Sequence, residues 1–300
     1  MRVNPGGTER RCEICRSETF APLFRKEGYR YVRCRSCGLQ RIDPPPSDAE
    51  LARIYGQHYF DAWGFQDQAG EHQAAALKRA TFARVITAAG RLPRGSRVLD
   101  CGAATGFLMQ VAADMGYEPY GIELSAYGAR AIAERFGADH VFEGHIEQAR
   151  FPDGDRQPSF AAAFMCDYLE HVRDPAGVLR RAAALLEPGA PLVISTPRVG
   201  SLTQRVMRRG WTHYKTEHLY YFAAENLRAL LVQTGFELLH QGPAWKTMTV
   251  EYVRHQFAVY RHPLLTPLAR LLRFLPHRVR HRPIAVVLGE MLVVARRGSG

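Results

Sequence analysis

Apolar and polar positions alternate along this chain with two periods, and the switch between them marks the elements. A helical pattern runs from His72 to Ala89 and stops at Gly90. Short apolar runs then predict strands over Arg97–Asp100, Tyr117–Glu123, His140–Glu143, Phe160–Met165, Pro191–Ser195, Phe236–Gln241 and Met291–Arg296. Amphipathic stretches near Gly106–Gly116, Ala126–Phe136, Pro175–Leu186 and Ala224–Gly235 separate them. This alternation predicts an α/β fold, a mostly parallel sheet with helices on both faces. The last two strands, some 45 residues apart, are expected to pair antiparallel. No internal repeat is visible.

The front of the chain follows different rules. Cys12-x-x-Cys15 and Cys34-x-x-Cys37 lie 18 residues apart, the spacing of a zinc ribbon. Each pair fits one tight turn with both thiolates on one side, and two turns complete a tetrahedral S4 site. All four ligands come from protein, so the expected Zn2+ is structural, and it staples a segment too short for its own core. Pro44-Pro45-Pro46 then breaks the chain, and Ser47 or Asp48 is placed to cap a helix over Ala49–Tyr55. The expected organisation is a ribbon over 1–43, a helical linker or lid over 44–92, and a ligand-binding α/β domain over 93–300.

Composition adds little except through the placement of charge. The net charge of +11 is concentrated at the ends. Residues 1–41 hold ten Lys and Arg against four Asp and Glu, and residues 254–300 hold nine against one. Basic ends around a slightly acidic centre suggest an anionic partner, or simply a solvated Arg-rich surface. The start of the chain lacks the apolar stretch of a secretory signal, and no apolar run reaches the roughly 18 residues of a spanning helix. A cytoplasmic protein is expected, with peripheral association at the inner membrane face as an extension of that reading.

The candidate chemistry begins where the first α/β strand ends. Asp100-x-Gly102-x-x-x-Gly106 is a strand running through a glycine turn into a helix, so backbone can approach a ligand closely. The acid argues against a pyrophosphate, which favours G-x-G-x-x-G with nothing negative beside it. It suits a zwitterion, with a carboxylate met by N–H groups and an ammonium met by acidic or carbonyl oxygens. Glu123, closing the second strand, is placed to accept both hydroxyls of a ribose. Ile146, after the third strand, is placed to pack on an adenine.

Val98-Leu99-Asp100-Cys101-Gly102-Ala103-Ala104-Thr105-Gly106 resembles motif I of the class I S-adenosylmethionine (SAM)-dependent methyltransferases, usually V-L-D-x-G-C-G-T-G. Ala103 and Ala104 stand where Cys and Gly are usual. Leu169-Glu170-His171-Val172-Arg173-Asp174-Pro175 is similar to the L-E-H-V-x-D-P segment of the ubiquinone-methyltransferase-like subgroup, as are Leu185–Pro197 and Glu217–Phe222. The front, with its cysteines and Ile54–Phe60, resembles a zinc-ribbon branch of that subgroup. The resemblance implies a Rossmann-like sheet of seven strands in the order 3-2-1-4-5-7-6. It implies SAM as cofactor, with Asp100, Gly102, Ala104, Gly106, Glu123, Leu124, His145, Ile146, Cys166 and Tyr59 as its contacts.

Methyl transfer to a hydroxyl needs an in-line acceptor and a proton acceptor. His171 is the first candidate base and His218 the second; each has an alternative role in orienting its loop. Trp211, His213 and Tyr214 either contact an acceptor or pack in a lid. Cys101 and Cys166 read as packing beside the cofactor. Residues 243–289 form a basic amphipathic insertion, with Leu264, Leu265, Leu268, Leu271, Leu272 and Leu275 at helical spacing among arginines. It suits an anionic membrane, the chain's own core or the partner in a homodimer. The expected acceptor is a small molecule, a sugar or a lipid-linked compound, methylated on oxygen. An RNA methyltransferase is the alternative, with nucleic acid the less favoured partner because few ribbon aromatics beyond Tyr29 and Tyr31 could stack on bases. A SAM-binding scaffold and a sugar C-methyltransferase are further readings.

Overall fold

The computed structural model describes residues 11–54, 68–151, 159–259 and 265–298. Three strands, β1 (Phe20–Lys26), β2 (Tyr29–Cys34) and β3 (Gln40–Ile42), pair antiparallel in sequence order. The helix α1 (Asp48–Ile54) starts in a capping box: the Glu50 N–H donates to Ser47 Oγ, and the Ser47 N–H donates to Glu50 Oε2 at 2.7 Å. After it comes α2 (Gln68–Ala88), a helix of 21 residues.

The main unit then alternates as the sequence predicts. Its elements are β4 (Arg97–Cys101), α3 (Phe107–Asp114), β5 (Glu118–Glu123), α4 (Ala126–Phe136), β6 (Val141–Glu143), β7 (Ala162–Cys166), α5 (Pro175–Leu185) and β8 (Pro191–Pro197). There follow α6 (Leu202–Met207), β9 (Tyr220–Tyr221), α7 (Ala224–Gln233), β10 (Phe236–Pro243) and β11 (Lys246–Thr249). The chain continues with α8 (Val250–Val259), α9 (Leu265–Leu271), α10 (His277–Arg280), β12 (Pro283–Val286) and β13 (Glu290–Arg297).

Seven strands form one sheet in the order β10-β13-β8-β7-β4-β5-β6. Counted along the chain within this sheet, that is the expected 3-2-1-4-5-7-6. The strands from β6 to β8 are parallel, whereas β13 runs antiparallel to both β8 and β10. Most strand boundaries shift by a residue or two from the sequence pattern, and two of these shifts have a visible cause. Phe160 makes only an isolated bridge to Leu186, so β7 starts at Ala162. β8 runs on to Pro197 because β13 pairs with it as far as Glu290.

The apolar runs are unbroken because both faces of the sheet are covered. Ala162, Phe164 and Val193 point with Val98 towards α2 and α3, meeting Val85, Ile86, Leu108 and Val111. Their neighbours Ala163, Met165, Leu192 and Ile194 point the other way, into a core that includes Val178 and Leu179 of α5 and Leu227 and Leu230 of α7.

The ribbon is joined to this unit through a shared sheet. β3 pairs antiparallel with β9, so the small sheet has the order β1-β2-β3-β9. Trp211 and Tyr214 are fully buried in the junction, packed with Tyr31, Ile42, Met207 and Tyr221. The insertion before β13 is broken as well. β11 and β12 pair antiparallel, and the leucine stretch is α9 followed by a 3-10 turn over Leu272–Phe274, not one continuous helix. Pro276 explains the stop: it has no N–H to donate, and it disfavours helical backbone at Leu275, which is extended at φ −67° and ψ 144°.

Candidate functional site

The sheet order reverses between β4 and β7, and the carboxyl ends of these strands form the crevice where an open α/β sheet binds ligands. The turn after β4 takes three residues through left-handed backbone: Gly102 at φ 78°, Ala104 at φ 52° and Gly106 at φ 77°. Gly102 and Gly106 adopt this freely, but Ala104 carries a strained conformation at the position where the motif usually has glycine. Glu123 holds it there, its Oε2 accepting the Ala104 N–H and its Oε1 the Ser125 N–H, both at 2.8 Å. Gly128 permits this approach, since a Cβ there would lie 2.3 Å from the Ala104 carbonyl oxygen. The sequence reading passed over Gly128.

Asp100 and Glu123 are both buried. Burial and the neighbouring charge of Glu123 push Asp100 up to about 8, and burial raises Glu123. No Lys or Arg pairs with either carboxylate among the described residues. Two buried acids without a cation, beside a turn of approachable backbone, fit a ligand carrying positive charge. SAM has both an ammonium and a sulfonium, so the residues present fit this cofactor.

Among the other expected contacts, Leu124 is 54% exposed beside Glu123, and His145 is exposed. Ile146 is fully buried in the main core. Cys166 is half-buried, and burial holds its thiol and that of Cys101 well above the usual range, so neither is a thiolate nucleophile. Tyr59 lies outside the described residues.

Beyond β7 the chain brings together groups that are distant in sequence. The ring of Tyr168 lies against the motif turn, where a Cβ on Gly102 would sit 2.5 Å from its Cδ2. The Leu219 N–H donates to the Glu170 carbonyl at 2.8 Å, which sets His218 beside His171 with ring centroids 4.5 Å apart, edge to face. Ligand atoms of Glu170, His171 and His218 all lie within 4.8 Å of one another. Glu170 is fully buried and accepts from Thr196 Oγ1 at 3.0 Å, while burial and Asp167 push its carboxyl up to about 8. Burial lowers His171 to about 4 and His218 well below its usual value, so both imidazoles are neutral at physiological pH. Among the described residues, the second oxygen of Glu170 and Nδ1 of His218 are buried without a hydrogen-bond partner.

Lys246 of β11 closes one side of this region. Its ammonium lies 2.6 Å from Glu290 and 3.4 Å from Asp167, and Glu290 also lies 3.6 Å from His213. Asp167 is itself left-handed, at φ 51°. The sequence reading named His171 and His218 but missed Asp167, Glu170 and Lys246 as charged partners. Of the aromatic loop it proposed over the cleft, Trp211 and Tyr214 are spent on the ribbon junction.

The four ribbon cysteines converge. All four sulfurs lie within 4.8 Å of one another, with Cys12 and Cys37 at 3.4 Å and Cys15 and Cys34 at 3.5 Å. Four sulfurs at about 2.3 Å from one tetrahedral ion would be separated by slightly more than these contacts, so the cluster has the size and chemistry of a closed zinc site. Burial raises the Cys12 thiol to about 11, whereas at Cys34 the N–H groups of Cys37 and Ser36 and the neighbouring thiols outweigh burial and bring it to about 7.

Comparison with known proteins agrees with this geometry. The sequence model of a family described as a methyltransferase domain matches residues 71–241. A ubiquinone biosynthesis O-methyltransferase of Xanthomonas axonopodis pv. citri is 29% identical over 158 residues, 49% of this chain and 64% of that protein. The enzyme of the same name from Xanthomonas oryzae pv. oryzae is 31% identical over 134 residues, 40% of this chain and 56% of its own length. The match thus spans less than two thirds of these relatives.

In fold, a Burkholderia thailandensis 1,6-didemethyltoxoflavin-N1-methyltransferase, solved with S-adenosylhomocysteine, superposes with a TM-score of 0.50 at 15% identity, covering 92% of this chain and 99% of that one. The cyclase SpnF gives 0.51 at 18% identity, over 86% and 99%. One neighbour is thus a methyltransferase and the other a cyclase, so likeness of fold leaves the reaction open. The family match decides the class: this chain belongs to the class I SAM-dependent methyltransferases.

Proposed function

We propose that this protein transfers the methyl group of SAM to a hydroxyl oxygen of a small-molecule, sugar or lipid-linked acceptor, and that its ribbon holds a structural zinc ion. The names of the relatives point to oxygen as the atom methylated. Asp100, Gly102, Ala104, Gly106 and Glu123 would hold the cofactor, with Leu124, His145, Ile146, Cys166 and Tyr59 as its further contacts. SAM supplies a methyl group made electrophilic by its sulfonium.

The observation that carries the reaction is the pair of neutral imidazoles, His171 and His218, at the edge of the sheet just beyond Tyr168 and the motif turn. A hydroxyl attacks a methyl group well only as its proton leaves, and a neutral ring nitrogen of His171 takes that proton. His171 is half-buried and reachable, whereas His218 is buried and orients it edge-on. Glu170, fully buried beside the two rings, keeps its carboxyl protonated below about 8.

The test is turnover of SAM to S-adenosylhomocysteine with a panel of phenolic, catecholic and sugar hydroxyls. Transfer to one of these classes is expected, and product analysis should place the new methyl on oxygen. Turnover with bulk RNA alone, or none with any acceptor, would overturn the reading.

A further inference from the structure

Outside the crevice, the insertion before β13 exposes large apolar side chains. Leu271, Phe274, Leu275 and Val279 are 59%, 71%, 36% and 45% exposed. A spacing of three residues puts Leu271 and Phe274 on one side of the turn that runs from α9 through the 3-10 segment, and Leu275 follows directly. Single exposed apolar side chains are ordinary, but four within nine residues concentrate apolar surface in one short stretch.

Charge then selects the partner. No Asp or Glu occurs in residues 252–289, which carry seven Arg and four His. Glu251, just before this stretch, is already paired: Arg254 and Arg280 both bind it, which ties α10 to α8. Arg270, Arg273, Arg278 and Arg282 are exposed in the same stretch of chain. The Arg273 guanidinium sits 4.6 Å over the Phe274 ring, so cation and apolar body occupy one place on the surface.

We propose that this patch docks the protein on an anionic lipid surface, with Leu271, Phe274, Leu275 and Val279 in the acyl boundary and the arginines among the headgroups. Apolar side chains interspersed with cations match the two layers of such a surface. A second copy of the chain fits less well, because a symmetric contact would bring this acid-free, Arg-rich stretch against itself. RNA would use the arginines but not three exposed aliphatic side chains, and Phe274 offers the patch a single ring for stacking. Docking here does not depend on which acceptor is methylated.

The test is co-sedimentation of the full-length protein with phosphatidylcholine vesicles, with and without phosphatidylglycerol, in the absence of SAM and acceptor. Binding is expected only with the anionic lipid, and high salt should weaken it. Arg273→Gln and Arg278→Gln should each weaken it about fivefold. Phe274→Ser combined with Leu271→Ser should weaken it at least about tenfold. All four positions are exposed, and an unchanged circular dichroism spectrum and melting temperature would confirm that the variants fold.

Equal binding to neutral and anionic vesicles would overturn the proposal, as would no binding to either. Salt-sensitive binding to homopolymeric RNA, indifferent to Phe274→Ser and unaccompanied by vesicle binding, would assign the arginines to nucleic acid. A dimer in light scattering that Phe274→Ser dissociates, again without vesicle binding, would assign the patch to a second copy.

Discussion

Glu123 Oε2 accepts the backbone N–H of Ala104 at 2.8 Å, binding the end of the second core strand to the left-handed turn that follows the first. The bond offsets a conformation that costs a residue with a Cβ about 1–2 kcal/mol. Ala104→Gly should therefore raise the unfolding free energy by up to about 1 kcal/mol, read by urea denaturation, while leaving SAM affinity within twofold or so. Glu123→Gln should lower the unfolding free energy and weaken SAM binding.

With Asp100 in the proposed cofactor site, SAM binding should depend on pH. Its carboxyl is held up to about 8 by burial and Glu123, so near neutrality the free protein keeps it protonated. A cationic ligand favours the carboxylate, so binding should release a proton, and affinity should rise with pH until it levels off above about 8. Calorimetry in buffers of different ionisation enthalpy reads that proton directly. Asp100→Asn should bind more weakly and lose the pH dependence; an unchanged affinity would remove Asp100 from the cofactor site.

The same shifts act on folding. Asp100 and Glu170 bind protons in the folded state that the unfolded chain has already released above the ordinary carboxylate range. Stability of the SAM-free protein should fall as pH rises from that range towards about 8, and then level off. Thermal melts across this window check it, and Asp100→Asn should flatten part of the slope.

Lys246 joins two carboxylates from opposite sides of the insertion, and Glu290 is almost fully buried. Lys246→Met leaves that carboxylate without its cation and should destabilise the fold by about 3 kcal/mol. Lys246→Met with Glu290→Gln should recover much of the loss. Equal destabilisation by the single and double variants would show that the ion pair does not account for it.

His171→Ala should lower kcat by roughly a hundredfold or more while SAM affinity stays constant. His218→Ala should lower kcat less, because its proposed part is to position His171. Loss of SAM affinity in either variant would move these residues from the reaction to cofactor binding. For the ribbon, elemental analysis should find one zinc per chain, and its removal by a strong chelator should lower the melting temperature and disturb β9 through β3.

Much of the site was legible because it is local. Asp100, Gly102, Ala104 and Gly106 fall within seven residues, and a strand, a turn and a helix start bring them together by covalent geometry alone. The two cysteine pairs were legible for the same reason. Ala104 shows the limit: its departure from the motif was visible, but its left-handed strain and its bond to Glu123 needed coordinates. Gly128 carried no visible signal, since its need for a missing Cβ arises from a backbone approaching from another strand.

The sequence by itself determined the strands, the glycine turn and the cysteine spacing, since all three depend on short spacings and local periodicity, whereas the strand order followed from the resemblance of its motifs to a known family. Only the tertiary structure decided what surrounds the reacting atoms. Lys246 reaches Asp167 across 79 residues, and Tyr220 of β9 reaches Glu13 of the ribbon across 207. Such contacts depend on where the sheet's far edge and the insertion come to rest. That is settled by packing and charge over the whole fold, and no window of sequence contains it.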